Sequence, residues 1–126
     1  MRKIIFKGRR LDNKKWALGD LLQFQDAVFI HTYENGCRVS HKIDEASICQ
    51  YTDVTDRNGK QIFEGDRVRT PMHRSDWRDT IFMDGTVEWK NGAFHVKWDI
   101  KDYGRHFLGY LEDVEVIGNV FDENSV

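Results

Sequence analysis

Four carboxylates crowd one stretch of this chain: Asp53, Asp56, Glu64 and Asp66. Paired carboxylates at a suitable separation can act as general acid and base in hydrolysis. The same residue types also build turns. Asp56 opens Asp56-Arg57-Asn58-Gly59, a run in which Asp and Asn fold back onto their own backbone and Gly accepts a positive φ. Glu64-Gly65-Asp66 reads as a tight corner ahead of a strand. The turn-building reading is the stronger one, because no G-x-S-x-G, P-loop or H-E-x-x-H pattern accompanies the acids. Cys37 and Cys49 lack a local nucleophile signature as well. The expectation is a non-enzymatic protein with no catalytic residues and no cofactor.

Histidines and cysteines invite a metal site, and Cys37 and His41 are spaced i, i+4 with His31 and Cys49 flanking them. Zinc needs ligands that converge on one point. In a strand, residues four apart share a face but lie about 13 Å from one another, so they cannot grip one ion without a bend. No metal is expected. Two cysteines are also too few for a disulfide framework.

Basic and aromatic residues raise a different chemistry. Arg67, Arg69, Arg74, Trp77 and Arg78, with His73 among them, could hold a single-stranded nucleic acid by charge and ring stacking. Asp66, Asp76 and Asp79 interleave with them, so a solvated loop of mixed charge competes with that reading. Trp77 either tucks onto the body of the protein or is offered to a partner. Farther on, Tyr103, Phe107 and Tyr110 either line an interaction surface or close the core. A homo-oligomer is the first expectation for a partner, since sheet edges invite pairing and most soluble oligomers are symmetric copies of one chain.

The elements that must position these residues read as strands. Lys3–Lys7 is a short strand ended by Gly8. Trp16–Phe24 fits both helical and strand spacing, with Gly19 arguing for strand. Val28–Tyr33 and Arg38–Ile43 flank the hairpin turn Asn35-Gly36. A single helical turn fits Asp44–Ser47. Asn91-Gly92 fits a type I′ turn, and that turn sets the register: Lys90 opposite Ala93, Trp89 opposite Phe94, Glu88 opposite His95, Val87 opposite Val96, Thr86 opposite Lys97. One face of the ribbon is then apolar and aromatic, the other polar and charged. Val114–Phe121 reads as a last strand with a bulge or bend at Gly118-Asn119.

At 126 residues the chain makes one domain or two small lobes. Hydrophobic and charged fractions of 40% and 32% suit a soluble globular fold, and 13% aromatic residues favours sheet. A net charge of -2 supplies no overall drive toward nucleic acid or anionic membranes. The charge is nevertheless polarised. Arg2, Lys3, Lys7, Arg9, Arg10, Lys14 and Lys15 face only Asp12 near the start, while Glu112, Asp113, Glu115, Asp122 and Glu123 close the chain. Either the termini neutralise one another or the start forms a basic interaction patch. No apolar run approaches the ~20 residues of a membrane helix, and no secretory h-region follows the N-terminal charges. The cytoplasm is the expected compartment.

Four segments carry a resemblance. Asp56–Val68 is similar to the D-x-N-G-K-x-I-[YF]-E-G-D-x-V signature of the YopX family of phage and prophage proteins. Trp16–Gly19 resembles its W-x-x-G, Ile48–Thr52 its I-x-Q-[YF]-T, and Glu115–Asp122 its E-V-I-G-N-[IV]-[YF]-[ED], all in the family order. Cys49 and Asp53 stand where relatives commonly carry glycine, and Thr70–Asp79 has no counterpart. The resemblance implies a phage or prophage origin, a bacterial cytoplasm and a mainly β fold. It transfers no functional residues. With these motifs in place the chain is expected to form an N-terminal β lobe over 1–55 and an SH3-like small barrel over 56–126, with few short helical turns. Its action is expected to be binding, of a second copy or of a phage or host protein, with nucleic acid as the alternative ligand.

Overall fold

The computed structural model describes residues 2–73 and 80–122. It is mainly β, with eleven strands and two single 3₁₀ turns among the described residues. No helix there is long and apolar enough to cross a membrane. The chain divides into two compact units, 1–51 and 52–126.

Unit 1 is an antiparallel meander of β1 (Phe6–Arg9), β2 (Trp16–Gln23), β3 (Val28–Glu34) and β4 (Cys37–Lys42), with the start of β5 (Cys49–Thr55) on the far side of β1. Asn35 and Gly36 have φ of 52° and 79°, so the β3–β4 turn is the one the Asn-Gly pair favours, and Glu34 pairs with Cys37 across it. The 3₁₀ turn Glu45–Ser47 is capped by Asp44, whose side chain accepts the Ala46 N–H.

Gly19 lies inside a strand, β2, as the sequence suggests, whereas Gly8 plays another part than expected. Gly8 does not end β1; it lies inside it, and a Cβ there would come within 2.4 Å of Ile43 Cγ2. A Cβ on Gly19, within β2, would lie 2.0 Å from the His31 carbonyl oxygen. Both positions let neighbouring groups approach the backbone. Between them the sheet buries Ala17, Ile30 and Ile43, with Phe6, Leu21 and Ile48 packed against that core.

Unit 2 begins within β5, whose hairpin with β6 (Gln61–Phe63) is closed by the Asp56 N–H to Lys60 carbonyl bond. Its main sheet is antiparallel in the order β10-β9-β8-β7-β11, comprising β7 (Asp66–His73), β8 (Thr80–Lys90), β9 (Ala93–Trp98), β10 (Arg105–Phe107) and β11 (Glu115–Asn119). A 3₁₀ turn at Leu108–Tyr110 precedes β11. This order is consistent with the SH3-like small barrel expected from sequence. The core is Ile62, Val68, Met83, Val87, Val96, Trp98, Leu108 and Val114.

The β8–β9 ribbon has the register that Asn91-Gly92 dictates, from Lys90 opposite Ala93 to Thr86 opposite Lys97. Its apolar face is not uniformly buried. Val87, Val96 and Trp98 lie in the core, whereas Trp89 near the turn is 53% exposed, its ring set edge-on to Phe94 at 4.8 Å. The bulge expected near Gly118 is present, as the β11–β7 register shifts between Val116 and Gly118.

Candidate binding surface

The carboxylates with catalytic potential are tied to backbone. Asp56 Oδ1 accepts the N–H groups of Asn58 and Lys60, both at 2.9 Å, and Oδ2 accepts that of Val116 at 3.0 Å. Burial works against its ionisation, but the three N–H donors, Val116 foremost, outweigh that and hold the carboxyl below the usual aspartate range. Asp66 is 2% exposed; it accepts from the Phe63 N–H at 2.8 Å and from the Asn119 side-chain amide at 2.9 Å. Gly65 adds a third tie by accepting the Val120 N–H at 3.0 Å. Thus the Asp56–Val68 segment and the closing strand, far apart in sequence, are sewn together by the very acids that could have suggested hydrolysis.

Asp53 lies at φ 66°, a left-handed position that glycine occupies more easily. The glycine expected there from the resemblance has a backbone reason. Cys49 is fully buried and its thiol donates to the Ser47 carbonyl at 3.3 Å. Cys37 is exposed on β4, while His41 is buried, its Nε2 3.2 Å from Thr32 Oγ1 and 3.1 Å from Glu34 Oε1. Among the described residues no three His, Cys, Asp or Glu side chains gather as a metal site would require.

Of the nucleic-acid candidates, Arg67 and Arg69 are both on β7. Arg74, Trp77 and Arg78 lie outside the described residues. Arg67 forms a bidentate pair with Asp99 and also donates to Thr86 Oγ1 at 2.8 Å. Arg69 pairs with Asp84 at 2.8 and 3.0 Å, and those bonds hold the Asp84 carboxyl below its ordinary range. Each guanidinium therefore faces a carboxylate of the same unit. Sequence reading missed Asp84 and Asp99 as their partners, since register alone brings these residues together.

The second candidate set stands differently. Tyr103, Phe107 and Tyr110 do not close the core; Leu108 does. Phe107 is 49% exposed and Tyr110 84%. Their rings meet edge to face at 5.7 Å, and Phe107 also lies 4.7 Å from the His95 ring. Tyr103 stacks toward His106, whose Nδ1 accepts the Trp98 indole N–H at 2.6 Å. Phe107 and Tyr110, with Phe94, Leu108, Val54 and Thr52, line an open groove of ≈ 300 Å³. Geometrically this is an open, mainly apolar trough, lined by buried Leu108 and by the exposed rings of Phe107 and Tyr110.

The crystal structure of protein EF1440 from Enterococcus faecalis is similar to this chain, at 20% identity and a TM-score of 0.53, covering 96% of this chain and 95% of that one. At that identity the likeness speaks for the fold. No curated protein sequence matches the chain. The profile of the family described as YopX protein matches residues 6–126, and so takes in every motif quoted above. On that match the chain belongs to the YopX protein family.

Proposed function

We propose that this chain is a phage- or prophage-encoded accessory protein of the bacterial cytoplasm that acts by binding another protein, not by catalysis, and that it self-associates. The observation that carries the reading is the exposure of Tyr110 and Phe107 on the rim of an apolar groove, with half-exposed Trp89 against Phe94 beside it. Contiguous exposed rings are costly to leave in water, and Trp and Tyr dominate the energetics of protein interfaces. The engagement of Asp56 and Asp66 by backbone supports a binding role over an acid–base one. The pairing of Arg67 with Asp99 and of Arg69 with Asp84 likewise favours protein over nucleic acid as the ligand of unit 2.

Mass measured by light scattering across a hundredfold range of concentration, about 1 to 100 µM, tests the proposal; a Kd in that range corresponds to roughly 5.5–8 kcal/mol. Mass should rise with concentration for the native chain and stay at the monomer value for Phe107→Ala combined with Tyr110→Ala. A monomer at every concentration removes self-association. A native-like mass in the double variant removes the groove as the contact.

A further inference from the structure

We propose that the edge of the unit 2 sheet at β10 takes an added strand from a partner protein: an extended segment with two adjacent apolar residues and an acidic one. This rests on the reading of the Phe107–Tyr110 groove as a contact surface and names the chemistry of what fills it. The two edges of the sheet differ. At β11 the backbone is engaged: the Val116 N–H goes to Asp56 Oδ2 at 3.0 Å, and the Val114 carbonyl just before the strand accepts the Arg57 N–H at 2.8 Å. At β10 all three residues are exposed. The Trp98 N–H donates to the Gly104 carbonyl at 3.3 Å, which makes these two a hydrogen-bonded pair. Alternation along the ladder then turns the backbone of His106 toward Val96 and that of Arg105 and Phe107 away from β9. Among the described residues no backbone group bonds the Arg105 N–H, the Arg105 carbonyl or the Phe107 N–H. A row of such groups is a template for another strand.

Charge decides which kind of segment fits. Arg105 stands directly opposite Lys97 on the face away from the core, and Lys97 opposite Thr86, so that row holds two cations and no acid. Like charges directly opposite one another repel. Glu88, one row along, reaches Arg105 at 3.3 Å, and among the described residues no carboxylate pairs with Lys97. A carboxylate on an added strand, opposite Arg105, complements both cations. Phe107 lies two residues on along the same face, and Leu108 and Tyr110 line the groove beyond it. Every neighbouring pair in this sheet is antiparallel. An added antiparallel segment therefore reads apolar, apolar, any residue, acidic, abreast of Leu108, Phe107, His106 and Arg105 in turn. Pairing β10 with β10 of a second copy would instead gather the cations of both, so the added strand is assigned to an acidic partner.

Microscale thermophoresis of the labelled chain at about 50 nM, below the range used for self-association, tests this with the capped peptide Gly-Ser-Leu-Phe-Thr-Glu-Ser-Gly. Binding should saturate. Methylating the peptide nitrogen of Glu, which would face the Arg105 carbonyl, should weaken it at least about tenfold, whereas methylating that of Thr, which points away from β10, should change it less than about twofold. That contrast belongs to strand addition and uses only the native chain. Glu replaced by Lys in the peptide should cost about tenfold, and Arg105→Glu should reverse the preference between the two peptides. Phe107→Ala with Tyr110→Ala should weaken binding at least about tenfold. Circular dichroism melting of each variant separates misfolding from lost contact. No binding, equal effects of the two methylations, indifference to the peptide's charge, or binding that survives loss of both rings would each overturn the proposal. A native chain that ignores the peptide, while the double ring variant still loses self-association, would sink the added strand and leave the groove standing as a contact surface.

Discussion

Replacing Asp56 by alanine tests whether the acidic signature is scaffold. The substitution strips the acceptor from three backbone donors, at Asn58, Lys60 and Val116. A hydrogen bond to a charged acceptor contributes about 1.5–3 kcal/mol, and an orphaned buried donor costs most of its desolvation penalty. Asn58 and Lys60 are exposed and water can replace part of what they lose, whereas Val116 is half-buried on β11. The expected loss is about 3–4 kcal/mol, a large share of the roughly 5–15 kcal/mol by which a domain is stable. With a urea dependence of about 1.5 kcal/mol per molar for a protein this small, the midpoint should fall by about 2 M. Asp56→Asn should lose less, about 2 kcal/mol, because its carbonyl still serves the turn while its amide meets the Val116 N–H donor to donor. The folded carboxyl titrates below its unfolded value, so its stabilisation is complete above the ordinary aspartate pKa near 3.9 and fades as the pH falls through the folded value. The gap between native and Asp56→Ala urea midpoints, followed by tryptophan fluorescence and circular dichroism, should therefore hold from neutral pH to about pH 5 and close in stronger acid. A variant that unfolds at the native urea concentration yet has lost a biochemical activity would refute the scaffold reading and make Asp56 a reactive acid.

Other outcomes follow from the backbone. Gly19→Ala should destabilise unit 1 by more than Gly8→Ala, roughly 3 kcal/mol or more against 1–3, since the new methyl at Gly19 meets a backbone carbonyl oxygen, whereas at Gly8 it meets side-chain carbons, Ile43 Cγ2 and Ile30 Cδ1; chemical denaturation of the two variants gives the order. Asp53→Gly should stabilise the fold by about 0.5–1 kcal/mol through relief of the left-handed backbone, read as a higher melting temperature; a lower one would show that the Asp53 side chain matters more than its φ.

Local chemistry was readable along the chain wherever two or three adjacent residues settle a conformation. Asn35-Gly36 and Asn91-Gly92 choose positive φ, and from those turns the register of both hairpins follows. The 3₁₀ turn after Asp44 and the bulge at Gly118 were readable for the same reason. Gly8 was misread as a strand end because its role depends on Ile43, which has no mark beside it in sequence.

What tertiary structure alone decided is which side chains become neighbours. Arg67 and Arg69 look like free cations until β8 and β9 bring Asp84 and Asp99 against them. Phe107 and Tyr110 could have closed the core until Leu108 took that place and left the rings on the rim. Lys7, Arg9, Arg38 and Lys42 are scattered in the sequence, and strand register alone places them on one side of the sheet. Conformation is a local energy, set within a few bonds, but charge pairing and burial act through space. Only strand pairing assigns the spatial neighbours that decide whether a charge or ring is neutralised, buried or left open to a partner.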